Sequence, residues 1–286
     1  MRVLITGASG YVAKFVIEDL EPDHDLVLFS RRHPSEGPHR LRTAAPFVRG
    51  DLTLPDDCRR AVEDVDAIAH IGANNWIGPD TFRNNVLGTY YLLEAARTAG
   101  VHRIVFASSN CVLGHCARAN SLFQPDYLPI DEQHPCRVED NYGLSKLVNE
   151  QTLATYARTT GIQIVALRLA WCWGPAEYAW RATTPFDPAA HAGGFWAYID
   201  MRDVAQAFRR ALHAELPDEP RFNAYYISAA DTMADEPSAE LVARFYPQLR
   251  DSAARLEGYA SLFSWQAAHA AFGYTPQYSW HERGGW

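Results

Sequence analysis

The feature that most constrains the fold is a glycine-containing turn near the start of the sequence. Residues 2–6 are an apolar, β-branched run that predicts a buried strand, and residues 12–20 carry the spacing of a helix. Between them stands the turn Thr6-Gly7-Ala8-Ser9-Gly10. A strand, a glycine turn and a helix in this order are typical of the first unit of an α/β nucleotide-binding domain.

The residues of this turn suit a diphosphate. Gly7 permits the tight turn, Gly10 lets the backbone approach the phosphates, and the following helix directs free N–H groups and the positive end of its dipole at them. We therefore predict dinucleotide binding here; the alternative is a turn with only a structural role. The predicted contacts of this segment are Gly7, Ser9, Gly10, Tyr11 and Val12.

The rest of the first half alternates strands and helices. Strands are predicted at 25–30, 47–49, 66–70, 103–107 and 162–168, and helices near 55–62, 80–99 and 140–159. This order predicts an α/β fold, a doubly wound parallel sheet of the Rossmann type with helices on both faces. Within the helix at 80–99 the apolar stripe is formed by Phe82, Val86, Tyr90, Leu93 and Ala96.

After Leu169 the pattern changes. Residues 171–196 hold four tryptophans among prolines and glycines and predict irregular loops that build a pocket. A helix near 201–214 and a strand near 224–228 are expected to rejoin the sheet, and further helices are predicted near 237–245 and 264–271. We thus expect a Rossmann domain over 1–170, joined again by 201–228, and a small discontinuous C-terminal substrate-binding cap of 171–200 and 229–286.

Charge and cysteine content limit the partners. The chain carries 26 Lys and Arg against 34 Asp and Glu, with no basic block, so neither nucleic acid nor a membrane surface is an expected partner. No apolar run has the length of a signal-peptide core or a spanning helix. Five scattered cysteines without C-x-x-C, and histidines without H-E-x-x-H, predict a cytoplasmic protein without a metal site. We expect a small-molecule substrate and leave a homodimer open.

The end of the second predicted strand indicates which dinucleotide binds. An acidic residue there would bind the ribose hydroxyls of NAD, but the sequence reads Ser30-Arg31-Arg32. A hydroxyl and two guanidiniums suit a ribose 2′-phosphate, so NADP is favoured over NAD; the alternative is a solvated basic loop. Asp51 is a candidate acceptor for the adenine amino group, or else a simple turn residue.

A candidate catalytic group follows the fifth strand. Tyr142 and Lys146 stand four residues apart on one helix face, and Ser109 ends the strand at 103–107, at the edge where doubly wound sheets bind ligands. A nearby ammonium is expected to lower the pKa of Tyr142, so that the phenol exchanges a proton with a substrate oxygen held by Ser109. Asn85 is expected to bend its helix around a water that passes protons to Lys146. The alternatives are a helix surface pair, a turn cap and a surface Asn.

With these residues the chain resembles the extended short-chain dehydrogenase/reductase group, the NAD-dependent epimerase/dehydratase family. The resemblance covers roughly residues 1–215 and implies an enzyme with Ser109, Tyr142 and Lys146 as catalytic residues and Asn85 as a helper. It also implies dinucleotide contacts by Leu52, Ile71, Gly72, Ala73 and Lys146. The matching stretches are Thr6-Gly7-x-x-Gly10, Gly50-Asp51-Leu52, His70-Ile71-Gly72-Ala73, Asn85-Val86-Leu87-Gly88-Thr89, Ser108 to Gly114, Tyr142-x-x-x-Lys146, Leu167-Arg168 with Gly174-Pro175, and Asp203-Val204-Ala205.

Departures from the family pattern narrow the reaction. Members that dehydrate nucleotide sugars carry an Asp-Glu pair where this chain has Asn110 and Cys111, so that branch is set aside. Residues 106–110 and the compact cap are similar to uronate dehydrogenases, which oxidise sugar acids to lactones. That similarity implies substrate contacts by Asn75 and Asn110. Arg181 is the candidate for a substrate carboxylate, and the alternative is a surface loop residue. Candidates for stacking on a sugar ring are Trp171, Trp173 and Trp196, with core packing as the alternative for each.

The resulting hypothesis is an NAD(P)-dependent oxidoreductase that transfers a hydride between a nicotinamide and a hydroxyl or carbonyl carbon of a sugar or sugar-acid-like substrate. Tyr142 is its general acid and base. One alternative is a nucleotide-sugar 4-epimerase with tightly bound NAD. Another is a non-catalytic dinucleotide sensor, a class of protein that lacks the Tyr-Lys pair kept here.

Overall fold

A computed structural model describes residues 1–74, 78–114 and 123–282 of the chain. Within these residues seven parallel strands form one sheet in the order β3-β2-β1-β4-β5-β6-β9. Its strands are β1 (Arg2–Thr6), β2 (Asp25–Ser30), β3 (Phe47–Arg49), β4 (Ala67–His70), β5 (Arg103–Ser109), β6 (Gln163–Leu169) and β9 (Phe222–Ile227), and a separate parallel pair is β7 (Trp171–Trp173) with β8 (Tyr198–Asp200). The helices are α1 (Tyr11–Leu20), α2 (Pro55–Ala61), α3 (Pro79–Ala99), α4 (Asn141–Thr160), α5 (Pro175–Thr183), α6 (Pro188–His191), α7 (Met201–His213), α8 (Ser238–Phe245), α9 (Arg250–Ala253) and α10 (Gln266–Phe272).

Both faces of the sheet are covered by helices. Successive strand residues point to opposite faces, so Val3 and Ile5 pack in one hydrophobic layer with α1 and α7, whereas Leu4 packs in the other with α2, α3 and α4. The predicted doubly wound parallel sheet is therefore confirmed. Strand β1 lies between β2 and β4, so the strand order reverses there and a crevice opens at the carboxyl ends of β1 and β4.

Residues 171–196 were predicted to be irregular, and this prediction is wrong. They contain β7, α5 and α6. Gly174 and Pro175 occupy the N-cap and first position of α5, where the Glu177 carboxylate accepts a 2.9 Å hydrogen bond from the Gly174 N–H. Glycine and proline at a helix start look like a loop in a sequence, although both are suited to that position.

The tryptophans of this segment mostly belong to the core. Trp173 and Trp196 are fully buried in the layer that also contains α1 and α7. The cap and that face of the sheet thus share one hydrophobic cluster, and the division of the chain into a Rossmann domain and a cap stays a prediction.

Helix α3 buries a different stripe from the predicted one. Leu93 and Ala96 are buried, but Phe82 and Tyr90 are 36% and 42% exposed. The N-terminal half turns a small and polar face inward instead: Thr81, Asn85, Gly88 and Thr89. This close packing requires glycine at 88, because a Cβ there would lie 2.9 Å from the Cβ of Leu52.

Three further observations concern the described ranges only. Their cysteines, at 58, 111, 136 and 172, are free thiols. None of their helices combines the length and the apolar character needed to cross a membrane. Their His, Cys, Asp and Glu side chains form no group of three or more that could hold a metal ion.

Candidate active site

The glycine turn lies at the crevice between β1 and β4. Gly7 has a left-handed φ of +68°, and a Cβ on it would lie 2.6 Å from the Cα of Gly72, so only glycine fits. Gly10 is the N-cap of α1 and lacks a side-chain cap, which leaves the first-turn N–H groups of Tyr11 and Val12 without an intrahelical partner. The free N–H groups at the start of α1, next to the closely packed backbones of Gly7 and Gly72, fit the diphosphate of a dinucleotide.

The residues around this turn are held by hydrogen bonds below it. The Thr6 hydroxyl accepts from the N–H groups of Ile71 and Gly72 at 3.1 and 3.0 Å. These two predicted cofactor residues therefore border the crevice with their N–H groups directed at Thr6, and Ala73 follows them in the chain. His70, to which the sequence analysis assigned no role, bonds Thr6 and Thr89 through its two ring nitrogens.

At the end of β2 the two arginines are available for an anion. Arg31 and Arg32 are exposed, and their guanidiniums form no hydrogen bond or ion pair within the described residues. The Ser30 hydroxyl donates to the Arg32 carbonyl at 2.6 Å, so only its acceptor capacity is left for a ligand. Ser9 of the glycine turn packs on the following loop, where a Cβ on Gly37 would lie 3.0 Å from the Ser9 carbonyl oxygen.

Asp51 and Leu52 follow β3. The Asp51 carboxylate accepts from both the N–H and the hydroxyl of Thr53 at 2.9 Å, as in an Asx turn. The Leu52 side chain packs close to Gly72 at the crevice, since a Cβ added to Gly72 would lie 2.9 Å from the Leu52 Cδ1. The structure thus places Leu52 next to the predicted site, and Asp51 has the local bonds of a turn residue.

The start of α4 brings the predicted catalytic residues together. Asp140 caps the helix by accepting from the N–H groups of Tyr142 and Gly143 at 2.8 and 2.9 Å. The Ser109 hydroxyl, at the end of β5, is close enough to the Tyr142 phenol to stabilise its ionised form. The Lys146 Nζ lies 5.7 Å from the centre of the Tyr142 ring and donates to the Ala107 carbonyl at 2.6 Å.

The electrostatics of this group differ from the expectation. Burial raises the pKa of Tyr142 well above its usual value, the nearby Cys111 thiol adds to this, and the Ser109 hydroxyl opposes it. Burial also lowers the pKa of Lys146 to about 8. The expected lowering of the phenol pKa is therefore wrong, because the phenol is buried and the desolvated Lys146 amine donates to the Ala107 carbonyl.

A buried hydrogen-bond network lies next to Ser109, Tyr142 and Lys146. The Ser108 hydroxyl donates to Glu150 at 2.6 Å, and Arg168 donates to both carboxylate oxygens of Glu150 at 3.1 and 2.8 Å. These residues connect β5, α4 and β6, so the network sets the position of α4 on the sheet. Sequence reasoning missed it, although Glu150 stands one helical turn after Lys146.

Asn85 lies within helix α3, which runs without interruption from Pro79 to Ala99. Its carboxamide accepts from the Asn74 N–H at 2.7 Å and donates to the Asn74 carbonyl at 3.0 Å and to the Ser145 hydroxyl at 2.9 Å. It thus clamps the segment after β4 to the first turn of α4. Its role as a proton helper stays a prediction.

The predicted substrate residues are dispersed. Asn110 is buried next to Ser109, whose hydroxyl lies 3.5 Å from its Oδ1. Trp171 is 42% exposed and packs edge-on against Trp173, on the face of β7 opposite to Cys172. Asn75 lies outside the described residues.

Arg181 is in the interior of the cap. Its Nε donates to the Met233 carbonyl at 3.0 Å, and its Nη2 lies 2.5 Å from Asp235 Oδ1. Its guanidinium is also held between the rings of Phe186 and Trp280, at 4.4 and 4.7 Å from their centres. These contacts fix the C-terminal segments of the cap, and the binding of a substrate carboxylate stays a prediction.

Comparisons with known proteins agree with this geometry. The chain is 31% identical over 229 residues to the L-arabinose 1-dehydrogenase (NAD(P)(+)) of Haloferax volcanii, a match that covers 77% of the chain and 85% of that protein. It is 34% identical over 173 residues to the uronate dehydrogenase of Pseudomonas syringae pv. tomato, covering 59% of the chain and 58% of that protein.

A solved structure shows the same fold. It is the UDP-glucose 4-epimerase of Thermus thermophilus in complex with NAD, with a TM-score of 0.69 at 22% identity, covering 98% of this chain and 95% of that one. The family model described as "NAD dependent epimerase/dehydratase family" matches residues 3–192. Fold and sequence agree, and the chain belongs to the NAD-dependent epimerase/dehydratase family.

Proposed function

We propose that this chain is an NADP-preferring dehydrogenase that interconverts a hydroxyl and a carbonyl carbon of a free sugar or sugar acid, with Tyr142 as the general acid and base. The observation that carries the proposal is the meeting of Ser109, Tyr142 and Lys146 at the carboxyl end of β5, beside the crevice with the glycine turn. The arabinose and uronate dehydrogenases among the relatives support the substrate class.

When bound, the nicotinamide supplies or accepts the hydride. The chain's own residues manage the proton. Ser109 orients the substrate oxygen toward Tyr142, whose raised pKa keeps the phenol protonated at neutral pH. Tyr142 is therefore ready to donate a proton in the direction of carbonyl reduction.

The opposite direction requires a phenolate. Among the residues described, the cation placed to stabilise it is Lys146, whose Nζ also lies 4.8 Å from the centre of the Phe106 ring. Because the pKa of Lys146 is about 8, its ammonium form prevails at neutral pH. Cys111, next to both groups, gives the site a thiol where dehydratases have a carboxylate.

The preference for NADP rests on the guanidiniums of Arg31 and Arg32 after β2, which are exposed and have no hydrogen bond or ion pair to any residue that the structure describes. A 2′-phosphate would form charge-assisted hydrogen bonds there, whereas the hydroxyl of NAD would not. The Ser30 hydroxyl donates its proton to the Arg32 carbonyl and has none left for a phosphate oxygen, so the preference depends on the two arginines alone.

A substrate screen tests the function. Purified protein is incubated with NAD or NADP and with neutral aldoses, uronates or UDP-glucose, and reduced dinucleotide is followed by its absorbance. Oxidation of a free sugar or uronate with NADP is expected. The alternative is a nucleotide-sugar 4-epimerase, whose fold the chain shares. Co-purified NAD and interconversion of UDP-sugars without added dinucleotide would establish the alternative instead.

We further propose a cytoplasmic homodimer. Phe82 and Tyr90 on α3 and Leu144 on α4 are 36%, 42% and 40% exposed, on two helices that pack side by side on the same face of the sheet. A second copy of the chain would cover this apolar face. Light scattering after size exclusion is expected to give twice the chain mass for wild type and a smaller mass for Tyr90→Glu. The scattered free cysteines support a reducing compartment.

A further inference from the structure

A histidine lies buried directly below the dinucleotide crevice. His70 is the last residue of β4, is 2% exposed, and lies between Thr6 at the end of β1 and Thr89 on α3. Its Nδ1 is 2.8 Å from the Thr6 hydroxyl, and its Nε2 is 3.0 Å from the Thr89 hydroxyl. The mechanism proposed above uses none of these three side chains.

The hydrogen bonds allow one arrangement of the protons. The Thr6 hydroxyl oxygen accepts from two N–H groups, those of Ile71 and Gly72, and both its lone pairs are thus used. Its single proton must therefore be donated to Nδ1 of His70. The ring proton is then on Nε2 and is donated to Thr89.

The charge state of the ring agrees with this arrangement. Burial, and to a smaller extent the charge of Lys146, lower the pKa of His70 to about 3, so the imidazole is neutral at physiological pH. A protonated ring would have no acceptor for the Thr6 hydroxyl. His70 is therefore a fixed bridge that accepts on one side and donates on the other.

This bridge sets the distance between two backbone segments that border the crevice. Through Thr6 it holds the N–H groups of Ile71 and Gly72 toward β1. The Cα of Gly72 consequently lies against Gly7, so that a Cβ added to Gly7 would be 2.6 Å from it. Gly7 belongs to the turn that fits the diphosphate, so a loss of the Thr6 bond would release Gly72 from Gly7 and widen the crevice.

We propose that His70 is a positioning residue for the dinucleotide: its Nδ1 orients Thr6, and Thr6 keeps residues 71–72 and the glycine turn at the spacing that the cofactor requires. The proposal rests on binding of a nicotinamide dinucleotide and not on the identity of the sugar. It can therefore be tested by binding alone, and it would survive an error in the proposed substrate.

Three substitutions separate the two sides of the ring. His70→Asn keeps an acceptor close to the position of Nδ1, His70→Gln keeps a donor close to that of Nε2, and His70→Leu keeps neither. The dissociation constant of NADPH is measured by fluorescence titration, together with Tm and with kcat at saturating dinucleotide. We expect His70→Leu and His70→Gln to raise Kd roughly tenfold, the usual effect of one lost hydrogen bond, and His70→Asn to stay close to wild type.

Thr6 provides the matched control. Thr6→Val removes the hydroxyl at nearly constant shape and is expected to raise Kd like His70→Leu, whereas Thr6→Ser keeps the hydroxyl and is expected to bind like wild type. If the histidine variants do not fold, this pair decides the question. In wild type, imidazole ¹⁵N shifts are expected to show the proton on Nε2. Equal Kd values for wild type, His70→Leu and Thr6→Val, or equal losses for His70→Leu and His70→Asn, would overturn the proposal.

Discussion

The buried ion pair between Glu150 and Arg168 provides a test of how helix α4 is held on the sheet. The two side chains are 3% and 8% exposed, and Arg168 forms two hydrogen bonds to the Glu150 carboxylate. Glu150→Gln would leave the Arg168 guanidinium buried without its counter-charge. Removal of one partner of such a pair costs about 3–5 kcal/mol of unfolding free energy. For a chain of this size that loss lowers Tm by about 5–8 °C.

The same site predicts a partial rescue. The double variant Glu150→Leu with Arg168→Met removes both charges and fills their space with apolar groups, a replacement that is often nearly neutral. It leaves the Ser108 hydroxyl without its acceptor, so a residual loss of about 1–3 kcal/mol is expected. Urea unfolding followed by circular dichroism measures both variants, and the expected order of stability is wild type, double variant, Glu150→Gln.

The matched control is an ion pair on the surface. Arg244 and Glu236 are also 2.8 Å apart, but their side chains are 49% and 36% exposed. Glu236→Gln is therefore expected to change the unfolding free energy by less than about 1 kcal/mol. If Glu150→Gln unfolds within 0.5 kcal/mol of wild type, or if the double variant is less stable than the single one, then this pair does not hold α4 as argued.

Three other outcomes are expected. Tyr142→Phe should lower kcat by a factor of roughly 10²–10⁴ with little change in dinucleotide affinity. The control is Tyr156→Phe, on the same helix but hydrogen-bonded to Glu94, which should keep full turnover. Steady-state kinetics with the substrate found in the screen tests both variants. The double variant Arg31→Ala with Arg32→Ala should weaken NADP binding by about 1.5–3 kcal/mol and NAD binding much less. If titrations show that the wild-type protein binds NAD at least as tightly as NADP, these arginines belong to a solvated loop without a role in cofactor choice. Burial lowers the pKa of His70 to about 3 in the folded chain, whereas an unfolded histidine has a pKa of about 6.5. As the pH is lowered from 6 to 4, the unfolded chain therefore binds a proton that the folded chain does not. The free energy of unfolding should decrease over this range by up to about 1.4 kcal/mol per pH unit. The fall should be shallower in His70→Asn, and parallel curves from unfolding at each pH would contradict the buried neutral ring.

Much of the fold follows from local patterns. The strand, glycine turn and helix at the start of the chain, and the alternation up to β6, were predicted within a residue or two of the observed bounds. Residues near in sequence decide these elements: a β-branched run forms a buried strand, and glycine allows the turn before α1. The position of Ser109, Tyr142 and Lys146 was also predictable, since the carboxyl ends of parallel strands meet at one edge.

Predictions from local sequence patterns were wrong where an element is determined by its contacts with other parts of the structure. Helix α5 begins with Gly174 and Pro175, which resemble a loop until the Glu177 carboxylate is seen to cap the helix. On α3 the expected apolar stripe is partly exposed, because the crevice needs Asn85 and Gly88 on the inner side. Hydropathy alone assigns such polar and small residues to the surface.

The tertiary structure decided which side chains meet and therefore what each can do. His70 and Thr6 are 64 residues apart in the sequence, and they come into hydrogen-bond contact only because β4 pairs with β1. Arg181, the candidate for a substrate carboxylate, is contacted by Asp235 and two aromatic rings, and nothing in its local sequence indicates these neighbours. The pKa of Tyr142 is raised rather than lowered for the same reason: desolvation depends on everything packed around a group, whereas the spacing of Tyr142 and Lys146 specifies only one neighbour.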